Sequence, residues 1–124
     1  MTKIRVLIID DEPEVRLTTL KSYISDLLRN EEAEFIHAFT VPDVIDFDVV
    51  SFDGDGGMYG DYLAQLKNCT SVKINKLAIV HTMNPSKAKE FVFVLCDDLV
   101  IEGRVVQRDF GHIHRTVHNI QGRW

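Results

Sequence analysis

Short apolar runs alternate along the chain with segments whose apolar residues recur at helical spacing. The run Ile4–Ile9 is continuous and rich in β-branched residues, which is typical of a strand buried on both faces of a parallel sheet. After Pro13 the apolar positions follow a helical period, and they predict an amphipathic helix over Glu14–Arg29. The same patterns predict three more strands, at Glu34–Phe39, Asp48–Phe52 and Leu77–Val80, and helices over Asp61–Asn68 and Asn84–Leu95.

Two segments have weaker patterns. Val41–Phe47 contains Pro42 and is predicted to be a loop with one or two helical turns. Val100–Val106 is a candidate fifth strand, interrupted by Gly103, and the tail beyond it has no clear period. Strands that alternate with helices predict an α/β domain with a doubly wound sheet of about five parallel strands. We expect a single domain over residues 1–106, with residues 107–124 as a basic, histidine-containing extension packed on it.

Composition excludes several classes of protein. Of 124 residues, 45% are hydrophobic and 27% are charged, as in an ordinary globular domain. No apolar run approaches the ~20 residues that a membrane span needs. The two cysteines, Cys69 and Cys96, belong to no CxxC motif and form at most one disulfide. A reducing, cytoplasmic location is therefore expected, with no membrane association.

Charge is distributed unevenly along the chain. The net charge is −5, yet residues 101–124 contain four arginines, two acidic residues and three of the five histidines. An acidic body argues against broad, sequence-independent DNA binding. The basic tail either contacts a phosphate locally or is a solvated extension. A zinc site at His112, His114 and His118 is a weaker alternative, because no cysteine lies near them.

Polar side chains follow three of the predicted strands. Asp10 and Asp11 come after the first strand, Asp53 and Asp55 after the third, and the fourth is followed by His81, Thr82 and Asn84. The carboxyl ends of parallel strands meet at one edge of a sheet, where ligands of such folds bind. We therefore expect these side chains to lie close together.

Clustered carboxylates repel one another unless they bind a cation, share a proton or stay well solvated. Oxygen ligands of this kind suit Mg²⁺ or Mn²⁺. A bound divalent ion in turn attracts a phosphate. The alternative is that the aspartates are helix N-caps and solvated turn residues, which are common where a strand leads into a helix.

The segment LIIDDE, an aspartate 43 residues after Asp10 and a threonine after the fourth strand together resemble the receiver domain of response regulators. The resemblance covers residues 3–106 and implies a flavodoxin-like fold. It also implies that Asp10, Asp11 and Asp53 hold Mg²⁺ or Mn²⁺ and that Thr82 contacts a phosphoryl group. The family's fifth-strand lysine is missing, because no lysine follows Lys89. Arg104 is the nearest cation that could contact the phosphate, with Arg108 or Arg115 as alternatives.

Two further motifs, VVSFDGDGG and IVHTMNP, are similar to those of the cyclic-phosphate-processing receiver-like family. That resemblance implies a role for Asp53, Asp55 and His81 in catalysis and for Thr82 and Asn84 in phosphate binding. The sequence departs from the family at Gly54 and Gly56, where histidine and leucine are usual. The glycine-rich loop that contains them either approaches a ligand with its backbone or is a solvated loop.

The leading functional hypothesis is a metal-assisted phosphoesterase, or a phosphate-end-binding domain, that acts on cyclic phosphates of nucleotides or RNA ends. His81 would be the general base or acid. A second hypothesis is a receiver-type switch that is phosphorylated at Asp53 and read by a protein partner. A third is a receiver-shaped module that binds a protein without chemistry.

Overall fold

The computed structural model describes residues 3–11, 18, 21–22, 24–26, 28–29, 31–54, 60–81, 85–95, 104–108 and 115–119. Six strands lie within these ranges: β1 (Ile4–Ile9), β2 (Ala33–Ala38), β3 (Val44–Asp53), β4 (Ser71–His81), β5 (Arg104–Arg108) and β6 (Arg115–Asn119). Two helices have defined bounds, α1 (Tyr62–Lys67) and α2 (Pro85–Phe93). Between β1 and β2, the described residues from Thr18 to Leu28 are also helical.

The strands form one sheet in the order β2-β1-β3-β4-β5-β6. All neighbouring pairs are parallel except β5 and β6, which are antiparallel. The predicted α/β class is therefore confirmed. No helix in the described ranges has the length and apolar composition that crossing a membrane requires.

Apolar side chains on the two faces of the sheet form two clusters. Helices α1 and α2 pack on one face, where Leu66 and Phe91 are fully buried against Phe52 and Val80. On the opposite face Ile24, from the predicted amphipathic helix, is fully buried in a cluster that includes residues of β1, β3 and β4. Each central strand is thus covered on both sides, as the continuous apolar run of β1 predicts.

The predicted loop over Val41–Phe47 is wrong for its second half. β3 begins at Val44, and β4 begins at Ser71, six residues before the predicted start. These extensions pair with each other, and Ile45 and Ile74 are buried between the sheet and the helices. An alternating polar and apolar segment is ambiguous alone, and here its pairing with a second such segment makes it a strand.

Contacts just before β3 and β4 hold these extensions together. The Asp43 carboxylate accepts hydrogen bonds from the hydroxyl of Thr70, at 2.8 Å, and from its backbone N–H, at 3.2 Å. The free thiol of Cys69 donates to the carbonyl of Pro42 at 3.2 Å, and burial, followed by the charge of Asp43, raises its pKa. The two chain segments therefore enter the sheet side by side.

The C-terminal part of the chain adds two strands to this sheet. β5 begins at Arg104 and continues to Arg108, so the boundary expected between residues 106 and 107 falls within a strand. β6 lies in the tail that showed no period, and Val106 pairs with Val117. Backbone pairing with β5 makes this segment a strand, although its apolar residues follow no clear period.

The start of α1 is tied to α2 by a charged contact. Asp61 caps α1 by accepting from the backbone N–H of Leu63 at 3.0 Å, and the ammonium of Lys87 lies 3.3 Å from its carboxylate. Partial burial alone would raise the pKa of Asp61. The hydrogen bond and positive charge of Lys87, together with backbone N–H groups, outweigh burial and lower that pKa.

We expect Asp61→Asn to keep the cap and lose the ion pair. The pKa of Asp61 in the folded state lies below its ordinary value of 3.8. The charge therefore makes its full contribution to the free energy of unfolding above pH 3.8, and this contribution is lost as the pH falls through the folded-state pKa. The contact is exposed, so at pH 7 the free energy of unfolding of wild type should exceed that of the variant by only ~0.5 kcal/mol or less. Urea unfolding at pH 7 and pH 3 measures this difference, and an equal gap at both pH values would contradict the assignment.

Two phenylalanines of α2 provide a matched test of the core. Phe91 is fully buried against Phe52, whereas Phe93 is 58% exposed. Phe91→Ala should lower the free energy of unfolding by about 3–5 kcal/mol, because it leaves a cavity. Phe93→Ala removes the same atoms from the same helix and should cost less than about 1 kcal/mol. Urea denaturation of both variants checks this, and similar losses would show that α2 packs by another face.

Candidate functional site

The carboxyl ends of the strands form a continuous row of polar residues. Ile9 pairs with Phe52, so Asp10, the next residue, lies beside Asp53. Asp53 pairs with His81, His81 with Arg108, and Arg108 with Arg115 across the antiparallel pair. We call these five positions, Asp10, Asp53, His81, Arg108 and Arg115, the edge row. Register partners share one face of a sheet, so the edge row lies on a single face.

Three carboxylates converge at one end of this row. Asp10, Asp11 and Asp53 each offer a carboxylate oxygen, and these oxygens all lie within 4.8 Å of one another. Asp10 is fully buried and Asp53 is 2% exposed, whereas Asp11 is partly accessible. We call these three residues the acidic cluster. The prediction that the ends of β1 and β3 bring these aspartates together is confirmed.

The backbone around Asp10 is held firmly. Its N–H donates to the carbonyl of Ala38 at 3.1 Å, which extends the pairing of β1 with β2 by one residue. Its carbonyl lies 2.8 Å from Nε2 of His37, and that ring nitrogen must donate, because a carbonyl only accepts. His37 is a residue that the sequence analysis missed. Its signal was the apolar strand EFIHAF, in which a histidine is unusual.

A buried hydroxyl lies two residues before Asp53 on β3. Ser51 is fully buried, and its Oγ has no hydrogen-bond partner among the residues that the structure describes. Its neighbours in register are Ile8 and Ile79, so both sides are apolar. The two residues share a side of the strand, and the polar character of the site therefore extends one step below the acidic cluster.

The donor set of the acidic cluster fits a hard divalent cation. Buried carboxylates so close together repel strongly when they are ionised, and a cation offsets both the repulsion and the loss of hydration. Three carboxylate oxygens within 4.8 Å suit Mg²⁺ or Mn²⁺, with water or a substrate oxygen as further ligands. Among the described residues this group offers only carboxylate oxygens, which hard cations prefer.

The other predicted site residues have different outcomes. His81 ends β4 as the register partner of Asp53, next to the acidic cluster. Arg104 begins β5 opposite Leu77, so it lies about 13 Å from the edge row at ~3.3 Å per residue. The arginine that β5 brings to this edge is Arg108. Asp55, Thr82 and Asn84 lie outside the described residues, as do Gly56, His112 and His114.

The first residues of the two helices have defined positions. Tyr62, which begins α1, is 1% exposed, and its hydroxyl donates to the carbonyl of Phe39 at 2.7 Å. Helix α2 begins at Pro85, four residues after the end of β4, as the sequence predicts. Its N-terminus therefore starts close to the edge row in the chain. The partial positive charge of a helix N-terminus favours anions.

Comparisons of the chain with protein-family models, with curated proteins and with solved structures gave no match. The geometry of the acidic cluster and the edge row is therefore the basis for inferring what the site does. The resemblance to receiver-like domains remains an expectation from the strand-end motifs.

The acidic cluster predicts divalent-metal binding that depends on Asp53. We expect Asp53→Asn to weaken Mn²⁺ binding at least tenfold in calorimetry and to remove the rise in melting temperature that saturating Mn²⁺ produces. Asp46→Asn is the matched control, because Asp46 is exposed on the same strand, seven residues earlier. It should leave Mn²⁺ binding unchanged. Equal Mn²⁺ affinity in all three proteins would rule out the acidic cluster as the site.

Proposed function

We propose that this chain is a receiver-like, flavodoxin-like domain that binds Mg²⁺ or Mn²⁺ at the acidic cluster and hydrolyses cyclic phosphates of nucleotides or RNA ends. The observation that carries the proposal is the convergence of three carboxylate oxygens within 4.8 Å, beside the end of β4. The sheet order β2-β1-β3-β4-β5 supports the fold assignment, because flavodoxin-like sheets have this order and bind ligands at this edge.

Residues of the edge row suit the charges of this reaction. When bound, a divalent cation at the acidic cluster supplies a positive charge for the phosphoryl oxygens and lowers the pKa of a coordinated water. By register, the position of Arg108 lies two strands from that of Asp53, about 10 Å at the usual strand spacing. In this proposal Arg108 supplies a positive charge to a phosphate oxygen, in place of the lysine that receivers have.

His81 supplies the proton transfers in this proposal. Water attacks phosphorus, the bond from phosphorus to one ribose oxygen breaks, and a phosphomonoester forms. His81 accepts the proton of the attacking water and returns a proton to the departing ribose oxygen, so no proton is gained or lost overall. An imidazole can both accept and donate a proton, which suits both directions of transfer.

A second candidate function is a switch phosphorylated at Asp53. Its support is the position of Asp53 at the end of β3 within the acidic cluster, since a divalent cation there would also assist transfer to a carboxylate. Incubation with a small phosphodonor and Mg²⁺ distinguishes the two functions. A stable mass increase of one phosphoryl group, lost in Asp53→Asn, would favour the switch.

Hydrolysis of a 2′,3′-cyclic nucleotide tests the main proposal. With Mn²⁺ present, wild type should produce the nucleoside monophosphate, and chromatography measures how much of this product forms. His81→Ala should slow the reaction roughly 10²–10⁴-fold, the usual contribution of a general acid or base. His118→Ala is the control, because His118 pairs with Val105 on the opposite face from the edge row. The proposal fails if wild type has no activity, or if the two variants are equally active.

A further inference from the structure

Phe39 places a half-exposed aromatic ring at the same edge of the sheet as the acidic cluster. It follows β2 directly, and because the last residues of β1 and β2 pair in parallel, its position lies beside that of Asp10. Three large apolar side chains of the described residues are at least half exposed. Of the other two, Val44 begins β3 at the opposite edge, and Phe93 is the last residue of α2, a helix that starts near the carboxyl edge. Among the described residues, Phe39 is therefore the exposed aromatic side chain that adjoins the candidate site.

The ring of Phe39 lies against the ring of His37. The two ring centroids are 4.6 Å apart and the ring planes are inclined at 58°, a tilted arrangement that aromatic pairs favour. Phe35, two residues before His37, packs against the buried cluster that contains Ile8. Asp10 follows Ile8 by two residues on β1, so the alternation of side chains puts Asp10 and His37 on the same face of the sheet. The aromatic pair therefore lies on the face to which the Asp10 carboxylate belongs.

Hydrogen bonds hold this aromatic pair in place from both sides. Nε2 of His37 donates to the carbonyl of Asp10 at 2.8 Å, which ties the His37 ring to the strand that leads into the acidic cluster. The carbonyl of Phe39 accepts from the hydroxyl of Tyr62 at 2.7 Å, and Tyr62 is itself buried at the start of α1. The Phe39 ring is thus presented by a segment that is fixed before any ligand arrives. A preorganised surface of this kind costs little entropy when it binds.

We propose that the exposed face of the Phe39 ring is a stacking subsite for the base of a nucleotide whose phosphate binds at the acidic cluster. The inference rests on the proposed function and adds the residue that distinguishes nucleotides from other phosphate esters. At the usual strand spacing, the position of Phe39 lies about 5 Å from that of Asp10 and about 10 Å from that of Asp53. One ribose separates the base of a nucleotide from its phosphate, so a single ligand spans both places. Every base has a π face, so the subsite selects nucleotides without selecting one base.

Two stable ligands separate the contribution of the base from that of the phosphate. One is adenosine 3′-monophosphate, and the other is ribose 5-phosphate, a sugar phosphate without a base. Calorimetry with the full chain in saturating Mg²⁺ measures both dissociation constants. Stacking of a base on an aromatic side chain contributes roughly 5- to 150-fold in affinity. Wild type should therefore bind the nucleotide at least about fivefold more tightly than the sugar phosphate.

Variants of Phe39 identify the surface responsible. Phe39→Leu keeps an apolar side chain but has no flat ring, so it should bind the nucleotide roughly 5- to 150-fold more weakly and the sugar phosphate as wild type does. Phe39→Trp keeps an aromatic face and should bind the nucleotide at least as tightly as wild type. Phe93→Leu is the matched control, because Phe93 is 58% exposed, against 50% for Phe39, and lies at the end of α2. It should leave both affinities unchanged.

Three results would overturn the inference. They are equal affinity of wild type for the two ligands, equal losses of both ligands in Phe39→Leu, which would indicate a structural role, and equal nucleotide affinity in Phe39→Leu and Phe93→Leu, the result expected if Phe39 contacts a protein instead. Failure of the proposed function has a different signature, sugar-phosphate binding that is absent or depends on neither Mg²⁺ nor Asp53. In that case adenosine, which has no phosphate, still compares wild type with Phe39→Leu in an NMR titration, and equal affinities there would overturn the stacking subsite.

Discussion

Two carboxylates lie side by side at the end of β1 and β3 because the strands pair in parallel with Ile9 opposite Phe52. Both are buried, and a third carboxylate, that of Asp11, approaches them from a partly accessible position. Side chains alternate between the faces of a sheet, so a shift of one residue in this register would move Asp10 and Asp53 to opposite sides. The candidate metal site therefore depends on the same pairing that builds the centre of the sheet.

Apolar packing enforces that register. Alternate residues of β1, β3 and β4 belong to one or the other of two buried clusters. A shift of a strand by one residue would move each of its apolar side chains to the opposite face and disrupt both clusters. The energy of the core thus stabilises an arrangement of carboxylates that is electrostatically unfavourable without a cation. Functional sites often concentrate such local conflicts, because the surrounding fold overdetermines the geometry.

Charge changes sign along the edge row. Asp10 and Asp53 are at one end, Arg108 and Arg115 at the other, with His81 between them. In the proposed function, an anionic substrate would be repelled by the carboxylates and attracted by a divalent cation and by the arginines, so the two ends would act together only with the cation bound. The same proposal would let an acidic chain bind a phosphate at one edge without binding nucleic acid over its whole surface.

Local signals in the sequence were sufficient for β1, for helix α1 and for the start of α2, whereas the convergence of the aspartates followed from the alternation of strands with helices, which predicts a parallel sheet. A continuous apolar run, a helical spacing of apolar residues and a proline at a first turn each act within a few residues. The extensions of β3 and β4, the strand β6 and the choice of Arg108 over Arg104 at the edge were decided by the tertiary structure. These features depend on which distant segment pairs with which, and in what register, and a strand's own residues do not encode its partner.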